Sequence, residues 1–250
     1  MQRYAKGRRD FRAARHNMTE KVIDMELMLD TANLSEIEYG LKNWPICGVT
    51  SNPSILKKEG KIDVYARLAE IKALLGPERS LHVQVVSTET AAIIEEAHCI
   101  LNRLGRDTYI KIPVSTAGIG AIQSLAAEGA NVTATAIYTA MQGILAVLAG
   151  AKYIAVYYNR MQNNCIDPDD VIAQIRHCID DHHSDAKILA ASFKNVGQLT
   201  NAYAAGAQGA TVAADIVKTA LGMVAIDKAV EDFTADFEAV HGEYMTMATI

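Results

Sequence analysis

The 250-residue sequence is poor in the residues that mark special classes of protein. It contains 4 Cys, 5 Pro and 16 Gly, which excludes collagen-like, disordered and disulfide-scaffold proteins. No apolar run reaches the roughly 18 residues that a bilayer-spanning helix needs, so we expect no contact with a membrane. With 50% hydrophobic and 21% charged residues, the composition is typical of a soluble globular protein with a large core.

The cysteines and histidines show no metal-binding or redox pattern. No C-x-x-C spacing occurs, His182 and His183 are adjacent, and His177 precedes His182 by five residues. A structural zinc site, a redox dithiol and a helical i,i+4 histidine pair are therefore not predicted. We expect four free thiols in a reducing cytoplasm, with Cys47 and Cys99 buried in apolar packing.

The charge is unevenly distributed along the chain. The net charge of −5 gives no indication of nucleic-acid binding for the chain as a whole. Residues 1–24 nevertheless contain seven basic and three acidic residues, so residues 25–250 carry −9. An arm that binds nucleic acid or an acidic partner is one interpretation of this basic segment. The other, which we favour, is a disordered or loosely helical extension, or an upstream start with Met25 as the functional beginning. The segment lacks the apolar region of a secretory signal, and its acidic residues argue against a transit peptide.

From Glu26 onward, short apolar runs alternate with segments of helical period. The runs predict eight strands, at 26–31, 47–51, 81–86, 108–114, 131–138, 153–158, 187–193 and 209–213. The intervening segments predict helices at 33–43, 62–76, 88–104, 116–128, 139–149, 167–183, 195–205 and 214–220. Such alternation is typical of a parallel sheet covered by helices.

A closed sheet is the better of two architectures. An open doubly wound sheet usually has a Gly-rich phosphate turn after its first strand, and here that strand runs into Asp30-Thr31-Ala32-Asn33. We therefore predict an α/β fold, a single (β/α)8 TIM barrel over residues 25–250 with an additional C-terminal helix at about 224–240. The apolar stripe of that helix has no strand left to cover, so we expect it to pack on a neighbouring subunit, across the barrel mouth or on the outer ring.

Lys111 is the most informative residue in the sequence. It lies within the strand segment Tyr-Ile-Lys-Ile-Pro-Val, where every neighbour favours burial, and lysine is rarely buried without a reason. Burial disfavours the charged ammonium, and a neutral amine can attack a carbonyl. An ion pair with Asp30 is the structural alternative. Pro113 predicts that the strand ends just beyond the lysine.

Other polar residues fall at the carboxyl ends of the strands, where barrel enzymes carry their chemistry. Arg160, Ser192 and Lys194 together provide donors for a phosphate group, although a surface salt bridge is the alternative for Arg160. Gln84 is either a core amide or a group that positions water. His82, on the same face as Gln84, is expected to be an interior histidine with satisfied hydrogen bonds.

Six segments of the sequence resemble one family. They are LDTAN (29–33), GVTSNPSI (48–55), YIKIPVS (109–115), TAIYTAMQG (135–143), AGAKYIAVYYNR (149–160) and ILAASFK (188–194). In this order they are similar to the small transaldolase family, and most closely to its fructose-6-phosphate aldolase branch. The resemblance begins near Met25 and continues to the C-terminus. It implies a class I aldolase that acts without a cofactor or metal, because an iminium serves as the electron sink.

The resemblance also implies a role for individual residues. Lys111 corresponds to the lysine that forms the Schiff base, while Asp30 contacts the lysine region and substrate hydroxyls. By the same resemblance, a catalytic water is held by Gln84, Thr135 and Tyr157. The dihydroxyacetone unit is held by Asn52, and the phosphate is bound by Arg160 and Ser192. Gln84 together with Tyr157 is similar to the aldolase branch, since transaldolases have Glu and Phe at these positions.

The expected reaction is reversible cleavage of fructose 6-phosphate, a sugar phosphate, to dihydroxyacetone and glyceraldehyde 3-phosphate. A transaldolase, which transfers the dihydroxyacetone unit to another sugar phosphate, is the first alternative. A non-catalytic sugar-phosphate binding protein, with Lys111 in a structural ion pair, is the second. The resemblance further implies a homo-oligomer, a decamer of two pentameric rings.

Overall fold

Eight parallel strands close into a barrel in the order of the chain, and the last strand pairs with the first. The structure is a computed structural model, and it describes residues 25–250. The predicted basic extension, residues 1–24, lies outside the described residues. The predicted (β/α)8 barrel is confirmed. Its strands are β1 Glu26–Asp30, β2 Ile46–Thr50, β3 Ser80–Gln84, β4 Tyr109–Pro113, β5 Asn131–Ile137, β6 Tyr153–Val156, β7 Lys187–Ala190 and β8 Gly209–Val212.

Helices follow the strands and cover the outside of the barrel. They are α1 Leu34–Asn43, α2 Pro53–Lys58, α3 Val64–Leu75, α4 Thr90–Leu104, α5 Thr116–Ala127, α6 Ala140–Leu148, α7 Tyr158–Asn163, α8 Pro168–Asp181, α9 Val196–Ala204, α10 Ala214–Leu221 and α11 Val224–His241. Most begin at a side-chain cap. Asn33, Asp63 and Ser115, for example, each accept a hydrogen bond from a backbone N–H in the first turn of α1, α3 and α5. These caps fix where each βα loop ends.

The alternation along β4 places its side chains on opposite faces of the sheet. Ile110 and Ile112 are fully buried in the core between the strands and the helices. Lys111 points the other way, into the barrel, because successive residues of a strand face opposite sides. The strand ends at Pro113, as its missing N–H predicted. Lys111 therefore lies one pleat from the carboxyl end of the barrel.

The structure corrects several strand ends and adds two short helices. The predicted strand 153–158 ends at Val156, and Tyr158 begins α7. Strands 81–86 and 187–193 likewise end earlier, at Gln84 and Ala190. Both α2 and α7 have only 6 residues, too few to show a helical period. The expected burial of Cys47 and Cys99 is also wrong, since both are half-buried.

The C-terminal helix α11 contacts the barrel very little. None of its residues is buried, and the apolar side chains of Val224, Val230, Phe233 and Val240 are exposed. The expectation that it packs across the mouth or the outer ring of its own barrel is therefore wrong for this chain. Within residues 25–250, no helix has the length and apolar character to cross a membrane.

Candidate active site

Lys111 lies inside the barrel without a polar partner. It is 2% exposed, and within residues 25–250 it makes no hydrogen bond or ion pair. The alternative ion pair with Asp30 is wrong: Asp30 Oδ1 instead accepts a hydrogen bond from Thr50 Oγ1 at 2.7 Å. Because no carboxylate holds this amine, it is available to react with a bound molecule.

Gln84 is the nearest neighbour of Lys111 on β3. The two residues are register partners, and Thr133 on β5 is the partner on the other side. Gln84 Oε1 is fully buried and has no hydrogen-bond partner among the described residues. A buried carbonyl oxygen of this kind normally has a donor, so the site has an acceptor available for a bound molecule.

A pair of hydroxyl groups lies one pleat above the lysine. Thr135 Oγ1 and Tyr157 Oη are 3.2 Å apart, and both side chains are buried. Strand β5 is irregular beside Thr135, because its register with β6 shifts between Ala134 and Ile137. Ala136 there has a φ of 59°, the left-handed region that costs an alanine energy. This local bulge sets how Thr135 meets Tyr157.

Arg160 extends from α7 over the aromatic residues at the mouth. Its guanidinium carbon lies 4.6 Å from the centre of the Tyr157 ring, and Nη1 reaches Tyr138 Oη at 3.5 Å. The hydrogen bond to Tyr138 raises the pKa of Arg160. The alternative of a surface salt bridge is wrong, since the described residues contain no ion pair of Arg160. Its charge is available to an anion.

Ser192 and Asn52 occupy the ends of β7 and β2, respectively. Ser192 has a φ of 65°, so its backbone is strained in a way that functional sites often retain. Its carbonyl oxygen accepts a hydrogen bond from the Asn159 N–H at 3.0 Å. Asn52 Oδ1 caps α2 by accepting from the Ile55 N–H at 3.0 Å, which leaves its amide nitrogen to donate elsewhere.

His82 lies beneath the lysine as an interior histidine with both nitrogens bonded, as predicted. Nδ1 is 2.8 Å from Thr133 Oγ1 and Nε2 is 3.0 Å from Ser80 Oγ. Complete burial, and next the positive charge of Lys111, lower the pKa of His82 to about 3. The imidazole is thus neutral, and it carries no charge that would oppose a cation at Lys111.

Two residues near the site were missed by the sequence analysis. Tyr138 contacts Arg160, and nothing in the segment TAIYTAMQG distinguishes it from a core aromatic. Gln198 is buried between α7 and the β7–α9 loop. The spacing from Asn195 to Gln198 is that of a helix start, which could have located the residue without indicating its contacts.

The site combines a buried amine, an unpartnered amide oxygen, a hydroxyl pair and a guanidinium at the carboxyl ends of the strands. Such an arrangement can form a covalent bond to a carbonyl compound, move a proton and hold an anion. This is the layout of a (β/α)8-barrel enzyme, whose chemistry lies at that end of the strands.

Comparison with known proteins identifies the family. A family model described as transaldolase/fructose-6-phosphate aldolase matches residues 27–249. A protein of Streptococcus pneumoniae named "Probable fructose-6-phosphate aldolase" is 50% identical over 213 residues, which cover 85% of this chain and 96% of that protein. The chain belongs to the transaldolase/fructose-6-phosphate aldolase family.

Proposed function

We propose that the protein is a class I aldolase that reversibly cleaves fructose 6-phosphate to dihydroxyacetone and glyceraldehyde 3-phosphate. The observation that carries the proposal is Lys111, which is buried within the barrel and has no ion-pair partner among the described residues. The name of the pneumococcal relative, to which this chain is 50% identical, supports the choice of substrate. A sugar-phosphate binding protein without catalysis would have no use for this unpaired lysine.

The reaction begins when the Lys111 amine attacks the ketone carbon of the sugar. The carbinolamine loses water to form an iminium. A base then takes the proton of the C4 hydroxyl, the C3–C4 bond breaks, and its electron pair passes into the iminium to form an enamine. Glyceraldehyde 3-phosphate leaves at this point. Protonation of the enamine at C3 and addition of water release dihydroxyacetone and return the amine.

Proton transfer is assigned to the hydroxyl pair and the amide beside the lysine. Tyr157 is the donor and acceptor, held by Thr135 at 3.2 Å, and a water held with Gln84 relays the proton. The unpartnered Gln84 Oε1 supports this assignment, since it can accept a hydrogen bond from that water. General acid and base groups typically contribute about 10²–10⁴-fold to a rate.

Substrate binding is assigned to the residues around this centre. Asp30, oriented by Thr50, meets the substrate hydroxyls, and the free amide N–H of Asn52 binds the dihydroxyacetone unit. Arg160 and Ser192 bind the phosphate at the mouth. A guanidinium and a hydroxyl are strong donors to phosphate oxygens.

Borohydride trapping tests the proposal directly. Reduction in the presence of dihydroxyacetone should leave a covalent adduct on Lys111, detectable by peptide mass spectrometry. Lys111→Arg, which keeps a long basic side chain and cannot form this imine under the same conditions, is the control. Absence of an adduct on the wild-type enzyme would refute any Schiff-base mechanism.

A transaldolase is the second candidate, because the matching family model covers both activities. The enzyme we propose releases glyceraldehyde 3-phosphate from fructose 6-phosphate without an acceptor. A strict requirement for erythrose 4-phosphate would identify a transaldolase instead. Gln84→Glu should raise transfer relative to cleavage, and an unchanged ratio would remove Gln84 as the determinant.

We further propose that α11 packs against another copy of the chain in a homo-oligomer. Its exposed apolar residues, among them Val224 at 82% and Phe233 at 72%, form a surface that water solvates poorly. Deleting residues 224–250 should dissociate the assembly, as measured by light scattering. An unaltered oligomer would refute this role.

The proposed organisation is one aldolase domain over residues 25–250, preceded by a basic extension. We place the enzyme in the cytoplasm, because all four cysteines are free thiols and a reducing compartment preserves them. Its partners are small molecules, the sugar phosphate and dihydroxyacetone.

A further inference from the structure

The buried amide of Gln198 joins two segments at the mouth of the barrel. Gln198 lies in the first turn of α9 and is 8% exposed. Its Oε1 accepts a hydrogen bond from the Lys194 N–H at 2.7 Å. Its Nε2 donates to Asn159 Oδ1 at 3.0 Å and to Gln162 Oε1 at 2.7 Å. One side chain thus uses its acceptor and both donors to connect the β7–α9 loop with α7.

These contacts bracket the two residues assigned to phosphate. Asn159 and Gln162 lie on either side of Arg160 along α7, and Lys194 lies two residues beyond Ser192. The helix α7 has 6 residues and no side-chain cap. A helix of this length is unstable without tertiary contacts, so the position of Arg160 depends on what holds α7 to its neighbours.

Other contacts hold the inner face and the start of α7: Tyr158 and Met161 are fully buried, and Tyr158 Oη donates a hydrogen bond to Asp169 Oδ1 at 2.6 Å. The N–H groups of Tyr158 and Asn159 donate to the Ala191 and Ser192 carbonyls at 2.9 Å and 3.0 Å. Arg160 itself is exposed and reaches Tyr138, which follows the neighbouring strand β5. Among the contacts between α7 and the loop, those of Gln198 extend furthest along the helix, to Gln162. They therefore tie the outer face of α7, beside Arg160, to the loop.

We propose that Gln198 is a positioning residue that sets the separation of Arg160 and Ser192 and so favours phosphorylated over unphosphorylated aldehydes. The inference rests on the proposed aldolase function and deepens it. Gln198 acts through α7 and the loop, and it does not touch the substrate. A phosphate that must meet two groups on different segments is sensitive to their spacing, whereas the chemistry at Lys111 lies on β4.

The test compares two acceptors in the addition of dihydroxyacetone, glyceraldehyde 3-phosphate and glyceraldehyde. A displacement of about 1 Å can cost up to about 100-fold in an oriented reaction. For Gln198→Leu we expect the ratio of the two KM values to shift roughly 10- to 100-fold against glyceraldehyde 3-phosphate. Gln162→Leu, which removes one of the bonds at an exposed residue, should shift the ratio in the same direction by less.

Gln208 offers a matched control at the other end of the barrel. Its Oε1 accepts from the Ile188 N–H at 2.9 Å, so Gln208→Leu also removes an amide that bridges to the backbone. This variant should lose stability and leave the KM ratio unchanged. If Gln198→Leu does not fold, Gln162→Leu carries the test alone.

Two outcomes would overturn the proposal. An unchanged KM ratio in Gln162→Leu and Gln198→Leu, that is, equal changes for both acceptors, would show that Gln198 does not position the phosphate site. An equal shift in Gln208→Leu would assign the effect to general destabilisation. In each case a borohydride adduct on Lys111 leaves the aldolase function standing, whereas its absence refutes that function and this inference together.

Discussion

Two lysine side chains point into the same barrel, but they differ in the polar groups around them. Lys187, at the start of β7, forms an ion pair with Glu26. Tyr153 donates a hydrogen bond to Glu26 Oε2 at 2.7 Å, and Tyr203 donates to the Glu26 carbonyl at 2.7 Å. Lys111 lies nearer the carboxyl ends of the strands and has no such partner within residues 25–250. We call the level of Glu26 and Lys187 the lower layer and the level of Lys111 and Gln84 the upper layer.

The contrast extends to the groups around each lysine. In the lower layer, burial and next the charge of Glu26 raise the pKa of Cys47 to about 11, so the thiol stays protonated and unreactive. In the upper layer, Gln84 Oε1 lacks a donor and Ala136 has a strained backbone. In the lower layer, the carboxylate of Glu26 has its partners within the chain. In the upper layer, Gln84 Oε1 has none among the described residues.

This difference separates stability from function within one barrel. A group whose partners are all in the protein contributes to folding, and the amino ends of barrel strands usually have that role. A buried group without a partner lowers stability, so its retention indicates that something outside the chain completes it. By this criterion the substrate of the proposed reaction supplies the partners of the upper layer.

The largest expected effect comes from removing each lysine in turn. Lys111→Met should lower kcat/KM by more than about 10⁴-fold, because the amine proposed to form the Schiff base is lost. The same change should raise the free energy of unfolding by roughly 1–3 kcal/mol, since an unpartnered polar group leaves the interior. Aldolase assays and urea unfolding measure the two quantities.

Lys187→Met is the matched control for this prediction and should behave in the opposite way. Glu26 loses the charge that balances it, which should cost roughly 1–3 kcal/mol, toward the lower end because the Lys187 side chain is 36% exposed. Its kcat should be retained. A loss of activity without a loss of stability in this variant would refute the separation of the two layers.

Two tyrosines on β6 and its extension provide the next comparison. Tyr157→Phe should lower kcat by about 10²–10⁴-fold, because the hydroxyl assigned to proton transfer is lost. Tyr153→Phe removes a hydroxyl that bonds Glu26, so it should cost about 1–3 kcal/mol of stability and leave kcat unchanged. Equal effects of the two variants on kcat would contradict the assignment.

The dependence of folding stability on pH probes His82, which lies between the two layers. Its ring stacks on that of Tyr109, with the ring centres 4.5 Å apart. The folded-state pKa of His82 is about 3, below its ordinary value of 6.5. Between these values the unfolded chain binds a proton that the folded chain does not, so stability falls as pH falls from 6.5 toward 3. The limiting slope is about 1.4 kcal/mol per pH unit.

His82→Phe should remove this contribution to the slope of stability against pH. A change in stability that is equal at every pH leaves this slope unaffected. Urea unfolding at several pH values between 6 and 4 measures it. His177→Gln, at a side chain that is 75% exposed, controls for the loss of a histidine. An identical slope for His82→Phe and the wild-type protein would mean that His82 is protonated in the folded state.

The barrel was predictable because its strands and caps are local signals. Each predicted strand overlaps an observed one, since buried apolar runs and the Asn, Asp and Ser caps that follow them need no tertiary information. Lys111 was predictable for the same reason, as a charged residue in an apolar run. The helix α2 was missed although Asn52-Pro53 is a helix start, because six residues are too few for a period.

Contacts between distant segments were not predictable from the sequence. Nothing local distinguishes Gln198 from a surface glutamine, because its meaning comes from Asn159 and Gln162, more than thirty residues earlier. The ion pair between Asp30 and Lys111 stayed open as an alternative for a similar reason. Thr50, on the next strand, takes its carboxylate, and the choice between Thr50 and Lys111 depends on geometry that the sequence does not contain.

The smallest effect concerns the strain in the upper layer. Ala136 is the one non-glycine residue within the described strands that has a positive φ, at 59°. Ala136→Gly removes a left-handed penalty of about 1–2 kcal/mol and adds about 0.5–1 kcal/mol of backbone entropy. Its net effect should be a gain of about 0–1.5 kcal/mol.

Ala134, two residues earlier on the same strand, is the matched control for this substitution. It is fully buried and has no positive φ, so Ala134→Gly relieves no strain and should cost about 1–2 kcal/mol in lost entropy and packing. The difference between the two urea midpoints, at equal m-values, therefore measures the strain at Ala136. Equal losses in both variants would mean that the bulge is unstrained and that the upper layer differs from the lower one only in its unpartnered polar groups.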